Sequence, residues 1–438
     1  MTEIERKSKM KIGYTEKIIS PEVGTKVAGY GLNDVSQAKR DDLYLSALAL
    51  DDGRKKIVIL SYDLLGMDEV WIRKIRAAAA EVFGGNEADC ILSCTHTHSG
   101  PNTRTLTGHP EILETAYLEQ LQEWTVSAVR EIFSRPLTDT TVYFYSSQCD
   151  ANRNRRYVGP SNQCSFLPYR RDMEPIADGF CDKEIGGLCF INSQTKQPEY
   201  IIGNYAAHPL ASHAPGLGGH RISADYPGEF RKYIKEETGA ACMFLSGAAG
   251  DMVPSGHETG SEACRQVGVK LAQAALNGII HATRNGENFR LTDETLQSGI
   301  ETRKYQIRPN KAENIPEYYG SRTEISLDIQ LVSVGDVCLI GVPGELVAEL
   351  GQEMKWHSPF RKTFILYCST AYAVYLCHGN ALVSGGYEAR SQWLTGMGGL
   401  TLVTAAVEGA RKLYARTFPD PSKWPENNLP LLVSLKNN

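Results

Sequence analysis

The 438-residue sequence holds no apolar run approaching the ~20 residues that span a bilayer, so no integral membrane segment is expected. Charge of one sign is equally scarce. Lys and Arg number 46 against 51 Asp and Glu, a net charge of -5 with a pI near 6.1. Without a basic face, nucleic acid is excluded as a partner. Residues 1–11 are mostly charged and hold no apolar h-region, so no secretory signal is read and a cytoplasmic location is expected. The 11 cysteines are odd in number and form no Cys-x-x-Cys pair. Most, such as Cys189, Cys242, Cys338 and Cys368, fall in apolar strand-like runs and read as small core residues in a reducing compartment. Repeats, low-complexity tracts and dividing linkers are also lacking, and residues 1–438 read as a single domain.

What is present is the composition of a globular protein, 42% apolar and 22% charged, with length for a large core. Residues 46–50, the turn Asp51-Asp-Gly53 and residues 57–62 predict a hairpin. A helix follows over about 68–83, with Asp68 and Glu69 at the positive end of its dipole and Gly84-Gly85 as its stop. The next strand is 90–94. Strand, helix, strand is a parallel crossover unit, which predicts an α/β fold of mixed sheets flanked by helices. Asp63 and His96 then lie beyond the carboxyl ends of neighbouring strands, where open α/β sheets hold their ligands. Further along, the pattern predicts a helix over 113–133 and a hairpin from 185–191 and 200–206. A strand at 241–245, a helix over 260–282 and strands through 296–342 come next. Glu345 is expected to open a helix running to about 356, and a last helix spans 398–415. Residues 148–182 read as one long aperiodic loop, of a length typical of functional segments. The proline-rich tail after Phe418 is expected along the surface.

The stretch Cys90-Ile-Leu-Ser-Cys-Thr-His-Thr-His-Ser-Gly-Pro-Asn102 runs from an apolar strand into turn residues. In an extended chain, His96 and His98 would share one face and address one point, as a metal ion requires. His208 stands before Pro209, again where an apolar strand stops. Glu345 sits at a switch from strand to helix, and Tyr387 follows Gly385-Gly386. Ser246-Gly-Ala-Ala-Gly-Asp251 is a small-residue loop able to bring backbone N–H groups to a substrate oxygen, and it is not a nucleotide loop because no Gly-Lys-Ser/Thr follows. The run Asn152-Arg-Asn-Arg-Arg156 can supply an anion- or carbonyl-binding arginine. Each motif taken alone also has a structural reading: a core histidine, a helix-dipole carboxylate, a surface tyrosine, a tight turn, a solvated basic run.

Together, and in this order, they resemble the neutral/alkaline non-lysosomal ceramidase family along almost the whole chain. The resemblance runs through Lys11-Ile-Gly-Tyr-Thr-Glu16 with Gly29-Tyr-Gly31, then Ser61-Tyr-Asp-Leu-Leu-Gly66 and Thr95-His-Thr-His-Ser-Gly-Pro101. It continues through Asn154-Arg155, His208, Gly250-Asp251, Val342-Pro-Gly-Glu345 and Tyr387-Glu-Ala389. It implies a ceramidase-like catalytic domain in which His96, His208, Glu345 and Tyr387 hold one zinc ion. His98, Arg155 and Asp251 would then serve the chemistry, and Gly250, Asn154 and His213 would meet the substrate. Arg153 also follows an asparagine and competes with Arg155 for its role. Two departures are visible. Val253 occupies the place of the family's proposed nucleophilic serine, with Ser255 two residues further on, and the chain is too short for the family's C-terminal immunoglobulin-like domain.

The expectation is therefore a zinc-dependent hydrolase of a small-molecule amide (N-acyl) bond, acting through metal-activated water and not as a long-chain ceramidase. In it His98 moves the proton, while Arg155 and the N–H groups around Gly250 hold the oxyanion. A metal-dependent enzyme for a polar, carbohydrate-type substrate is the alternative, favoured by His213, His220 and Arg221. A non-catalytic zinc-containing relative is a third. Oligomeric state is not encoded in these motifs.

Overall fold

The computed structural model describes residues 10–106, 109–158, 164–166, 179–212, 220–255, 259–291 and 294–424. His213 and the tail beyond residue 424 lie outside the described residues. Strand β1 (Met10–Ile18) runs antiparallel to β2 (Tyr44–Asp51), which turns through Asp51-Asp-Gly53 into β3 (Lys56–Tyr62) as the hairpin signature predicts. Helix α1 (Glu69–Val82) crosses over to β4 (Cys90–Cys94), which lies parallel to β3. Helix α2 (Thr115–Phe133), β5 (Thr138–Gln148) and the hairpin of β6 (Glu184–Asn192) and β7 (Pro198–Tyr205) follow. Helix α3 (Asp225–Thr238) then crosses to β8 (Ala241–Ser246), parallel to β7. These eight strands form one mixed sheet in the order β8-β7-β6-β5-β1-β2-β3-β4.

After α4 (Ser261–Arg284), a second sheet of four strands forms from β9 (Leu296–Gln306), β10 (Glu324–Val334), β11 (Val337–Gly341) and β12 (Lys362–Leu366). Helix α5 (Ala348–His357) links the parallel pair β11 and β12, and α6 (Gly398–Thr417) follows them. The period-2 alternation of the strands sorts side chains into layers. Leu48, Leu50, Ile57 and Ile59 pack against Val332, Val334, Leu339 and Phe364 of the second sheet. One residue out of phase, Leu45, Ala47, Val58 and Leu60 pack against Ile72 and Ile75 of α1 and Leu121 and Val129 of α2. Tyr145, Ile201 and Phe244 receive α3 and α4, while Leu327, Ile329 and Ile340 receive α5 and α6. The layering is helix, sheet, sheet, helix. Every cysteine is a free thiol, and no helix among the described residues is long and apolar enough to cross a membrane.

Two expectations need correction. The 148–182 segment is not one loop, because Asn152–Asn154 pairs with Met252–Pro254 and Arg156–Val158 pairs with Cys164–Phe166. Glu345 does not open a helix. It lies in the two-residue strand Glu345–Leu346, paired with Tyr375–Leu376, and α5 begins only at Ala348. Helix α3 and strand β12 were not foreseen.

Candidate active site

The parallel pairs β3/β4, β7/β8 and β11/β12 deliver their carboxyl ends to one place, the position where α/β sheets hold ligands. His96 follows β4, His208 follows β7, Gly250 and Asp251 follow β8, Glu345 follows β11, and Tyr367, Tyr372 and Tyr375 follow β12. The twist of the large sheet brings its two edges together there. Ser61 Oγ donates to Phe244 O and Ser246 Oγ to Thr95 O, each at 2.6 Å. Beneath His96, Asp63 is held by both terminal nitrogens of buried Arg231 at 3.0 and 2.6 Å, by the Tyr44 N–H at 2.9 Å and by Thr95 Oγ1 at 3.2 Å. Asp63 is thus a buried anchor for the loop that carries the histidines.

The two histidines do not converge by strand alternation as their spacing suggested. The strand stops at Cys94, and His96 takes the left-handed conformation with φ 71°. That turn sets the His96 and His98 rings 5.0 Å apart at 77° to one another. Cys368 and Val374, in the segment beneath Glu345, also have positive φ, of 45° and 47°. Such conformations disfavour residues with a Cβ and concentrate where function fixes the backbone.

All three imidazoles point the same nitrogen inward. Nδ1 of His96 donates to Leu65 O at 2.7 Å, that of His98 to Gly29 O at 3.2 Å, and that of His208 to Ala249 O at 2.6 Å. With the proton held on Nδ1, each Nε2 presents a lone pair. Nε2 of His96 and of His98 is buried without a hydrogen-bond partner. Glu345 Oε2 faces His208 Nε2 at 3.2 Å and His96 Nε2 at 3.5 Å. Its carboxylate is fixed by the Tyr367 hydroxyl at 3.1 Å and by the Tyr372 hydroxyl on Oε1.

Burial pushes the His208 imidazole down to about 4, with Arg155 adding to the effect, and holds His98 well below the usual imidazole range with help from His96 and His208. Lone pairs facing a carboxylate oxygen repel unless positive charge lies between them. The donor set therefore fits a metal ion, and His96, His98 and His208, with ligand atoms all within 4.8 Å of one another, form a group able to hold one.

Arg155, not Arg153, faces this centre. Buried to 3% exposure, it donates from Nε to Glu388 Oε1 at 2.7 Å and from one terminal nitrogen to Gly250 O at 2.9 Å and the Tyr375 hydroxyl at 3.0 Å. The other Glu388 oxygen takes Arg156 at 2.8 Å. Tyr387 is 45% exposed and lies with its ring 5.4 Å from Tyr375 and 5.7 Å from the Arg155 guanidinium.

The structure places other expected residues in supporting positions. The Gly250 N–H donates to Leu346 O at 2.8 Å, so it is not free to hold an oxyanion as expected. A Cβ on Gly250 would meet Glu345 O at 2.7 Å, which makes this glycine the close approach between two site-bearing loops. Asp251 accepts from Ala348 N–H at 2.8 Å and Asn154 Nδ2 at 2.7 Å, and burial pushes its carboxyl up to about 6. Asn154 also receives the Arg156 N–H at 2.8 Å, bracing both ends of Arg155. Val253 is buried, while Ser255 is exposed. His220 lies close by, its ring 5.3 Å from Tyr30, which in turn packs at 5.3 Å on His98.

Sequence reasoning missed Tyr367, Tyr372, Tyr375 and Glu388. The signal was three tyrosines within Tyr367-Cys-Ser-Thr-Ala-Tyr-Ala-Val-Tyr375, too dense for chance surface residues. Gly29 was read as a turn and does more. Its φ is 99°, and a Cβ there would lie 2.3 Å from His98 Nδ1. Gly29→Ala is expected to displace the His98 ring and cut turnover at least tenfold, in line with the cost of disturbing partners that orient site histidines, ~10–100-fold. Kinetics together with a crystal structure of the variant check this.

The fold and site thus define a helix–sheet–sheet–helix protein with a buried histidine–carboxylate centre suited to a metal. No family model matches the chain, and no curated protein matches it in sequence. Solved structures do. Neutral ceramidase from Pseudomonas aeruginosa superposes with a TM-score of 0.75 at 17% identity, over 92% of this chain and 75% of that one. A ceramidase complexed with C2 superposes at 0.77 and 16% identity, over 93% and 76%. The chain has the neutral ceramidase fold.

Proposed function

We propose that this protein is a zinc-dependent hydrolase that opens an amide (N-acyl) bond. One observation carries the reading: three imidazole lone pairs converge with the Glu345 carboxylate in a buried centre. Two neutral imidazoles, His96 and His208, with Glu345 make a ligand set typical of catalytic zinc, and Tyr387 is the fourth candidate. When bound, zinc would supply Lewis-acid chemistry, polarising a carbonyl and making water acidic enough to attack it near neutral pH.

The chain's own residues supply the rest. His98 Nε2 takes a proton from the attacking water and returns it to the departing nitrogen; the Gly29 carbonyl on Nδ1 keeps the ring in the tautomer that can do so. Arg155, pinned by Glu388 and stacked near Tyr375, sets a positive charge beside the carbonyl oxygen as it gains charge. Asp251, Asn154 and Gly250 position Arg155 and the loop after β8. With Val253 in place of a serine, that position offers no nucleophile and water attacks directly.

His98→Ala separates the roles. It is expected to retain about one zinc per chain by elemental analysis while losing roughly 100-fold or more in kcat on an N-acyl substrate, the scale of general acid–base catalysis. Loss of zinc would instead make His98 a ligand. Unchanged turnover with zinc retained would remove it from the mechanism.

A further inference from the structure

Arg104 stands at this centre and has no part in the chemistry above. Its guanidinium carbon lies 4.7 Å from the centroid of the Tyr372 ring. That same ring donates its hydroxyl to Glu345 and stacks on His96 at 6.2 Å. The Arg104 side chain is half-buried, and its Nε is buried with no hydrogen-bond partner. Its positive charge is felt at Tyr387, the exposed tyrosine beside Arg155. The other arginines around this centre are spoken for. Arg155 and Arg156 share Glu388, and Arg231 is paired with Asp63. Asp68 feels the charge of Arg104 but spends its oxygens on the Thr105 N–H at 2.8 Å, the Thr105 hydroxyl at 2.5 Å and Tyr318 at 3.3 Å. Among the described residues Arg155 and Arg156 are thus paired with Glu388, whereas Arg104 makes no ion pair.

We propose that Arg104 is a specificity residue that pairs with a carboxylate on the substrate, so that the site selects anionic N-acyl compounds, such as N-acylated amino acids, over neutral amides. This rests on the amide-hydrolase reading given above. A guanidinium is a planar fork of donors matched to a carboxylate, and such charge-assisted pairs are about twice as strong as neutral hydrogen bonds. The Tyr372 face shields one side of the fork from water, which strengthens any charge pair made at its edge. A carboxylate gives the guanidinium an ionic partner that a neutral amide cannot.

The test uses the full chain with two probes of equal size, N-dodecanoylglycine and N-dodecanoylglycinamide, which differ in charge. Binding is measured by calorimetry on metal-depleted protein and kcat/KM on zinc-loaded protein. The wild type is expected to favour the anionic probe by roughly tenfold or more in both measurements. Arg104→Met is expected to erase that ratio, chiefly through KM, and Arg104→Lys to keep part of it. A wild-type ratio near one, no binding of the anionic probe, or an Arg104→Met variant of unchanged melting temperature that loses equally on both probes, would overturn the proposal. The two readings fail separately. If the anionic probe binds through Arg104 but neither probe is cleaved, the hydrolase reading falls and the carboxylate site stands. If both are cleaved at equal rates, the carboxylate site falls and the hydrolase reading stands.

Discussion

Glu345→Gln is expected to lower zinc affinity by roughly 100-fold or more and to abolish turnover, while leaving the metal-free protein at least as stable as the metal-free wild type. The argument is local. Glu345 Oε2 is the acidic oxygen facing His96 and His208, at 3.5 and 3.2 Å. Gln keeps the shape but loses the charge, and even the outer partners of metal ligands carry ~10–100-fold in affinity. The new amide can donate to an imidazole lone pair, which removes the repulsion that the carboxylate creates when no cation is present. Thermal unfolding with and without chelator reads this out: chelation lowers the melting temperature of the wild type and leaves Glu345→Gln where it was. A variant that keeps stoichiometric zinc would show that the carboxylate is not a ligand.

The second large effect concerns Asp63 and Arg231, neither of which touches the proposed metal. The two form a buried bidentate pair, and Asp63 also takes the Tyr44 N–H and the Thr95 hydroxyl. Removing one partner strands the other charge in the interior, at a cost of roughly 3–5 kcal/mol. Asp63→Ala is expected to destabilise by about that amount in denaturant unfolding and to weaken zinc binding as well, because Thr95 adjoins His96. The double variant Asp63→Leu/Arg231→Met should recover much of the stability, since an apolar pair of similar volume is often as stable as a buried ion pair. A single variant of wild-type stability would mean that water enters and screens the remaining charge.

Much of the architecture was legible because its signals are local. The β3–α1–β4 unit follows from an apolar strand, a helix with acidic start and Gly84-Gly85 stop, and a second apolar strand. Helix α3 carries Pro227 and Gly228 near its start and was not foreseen. Pro is tolerated in a first turn, and the spacing of Tyr226, Phe230 and Ile234 was the helical signal to follow. Glu345 was taken as a helix opener because it follows an apolar strand and an acidic residue suits a helix's first turn. Its pairing partner, Tyr375–Leu376, lies 30 residues on, and no local pattern announces such a parallel bridge. For the site, the residue types were readable and their employment was not. Asp63 lies where a ligand-binding carboxylate would, yet Arg231, remote in sequence, claims it. The Gly250 loop looked like an oxyanion cradle, and only the tertiary contact with Leu346 shows its N–H already used.

The proposed ligands come from both sheets: His96 and His208 from the large one, Glu345 from the small one, 137 residues beyond His208. No fragment of the chain can therefore assemble it. The pocket comes into being only when the two sheets have docked across their shared core, which would make ion capture the closing act of maturation. Once seated, the ion would serve as a clasp between the sheets. In a chain without disulfides, that clasp is the cross-link the fold would otherwise lack.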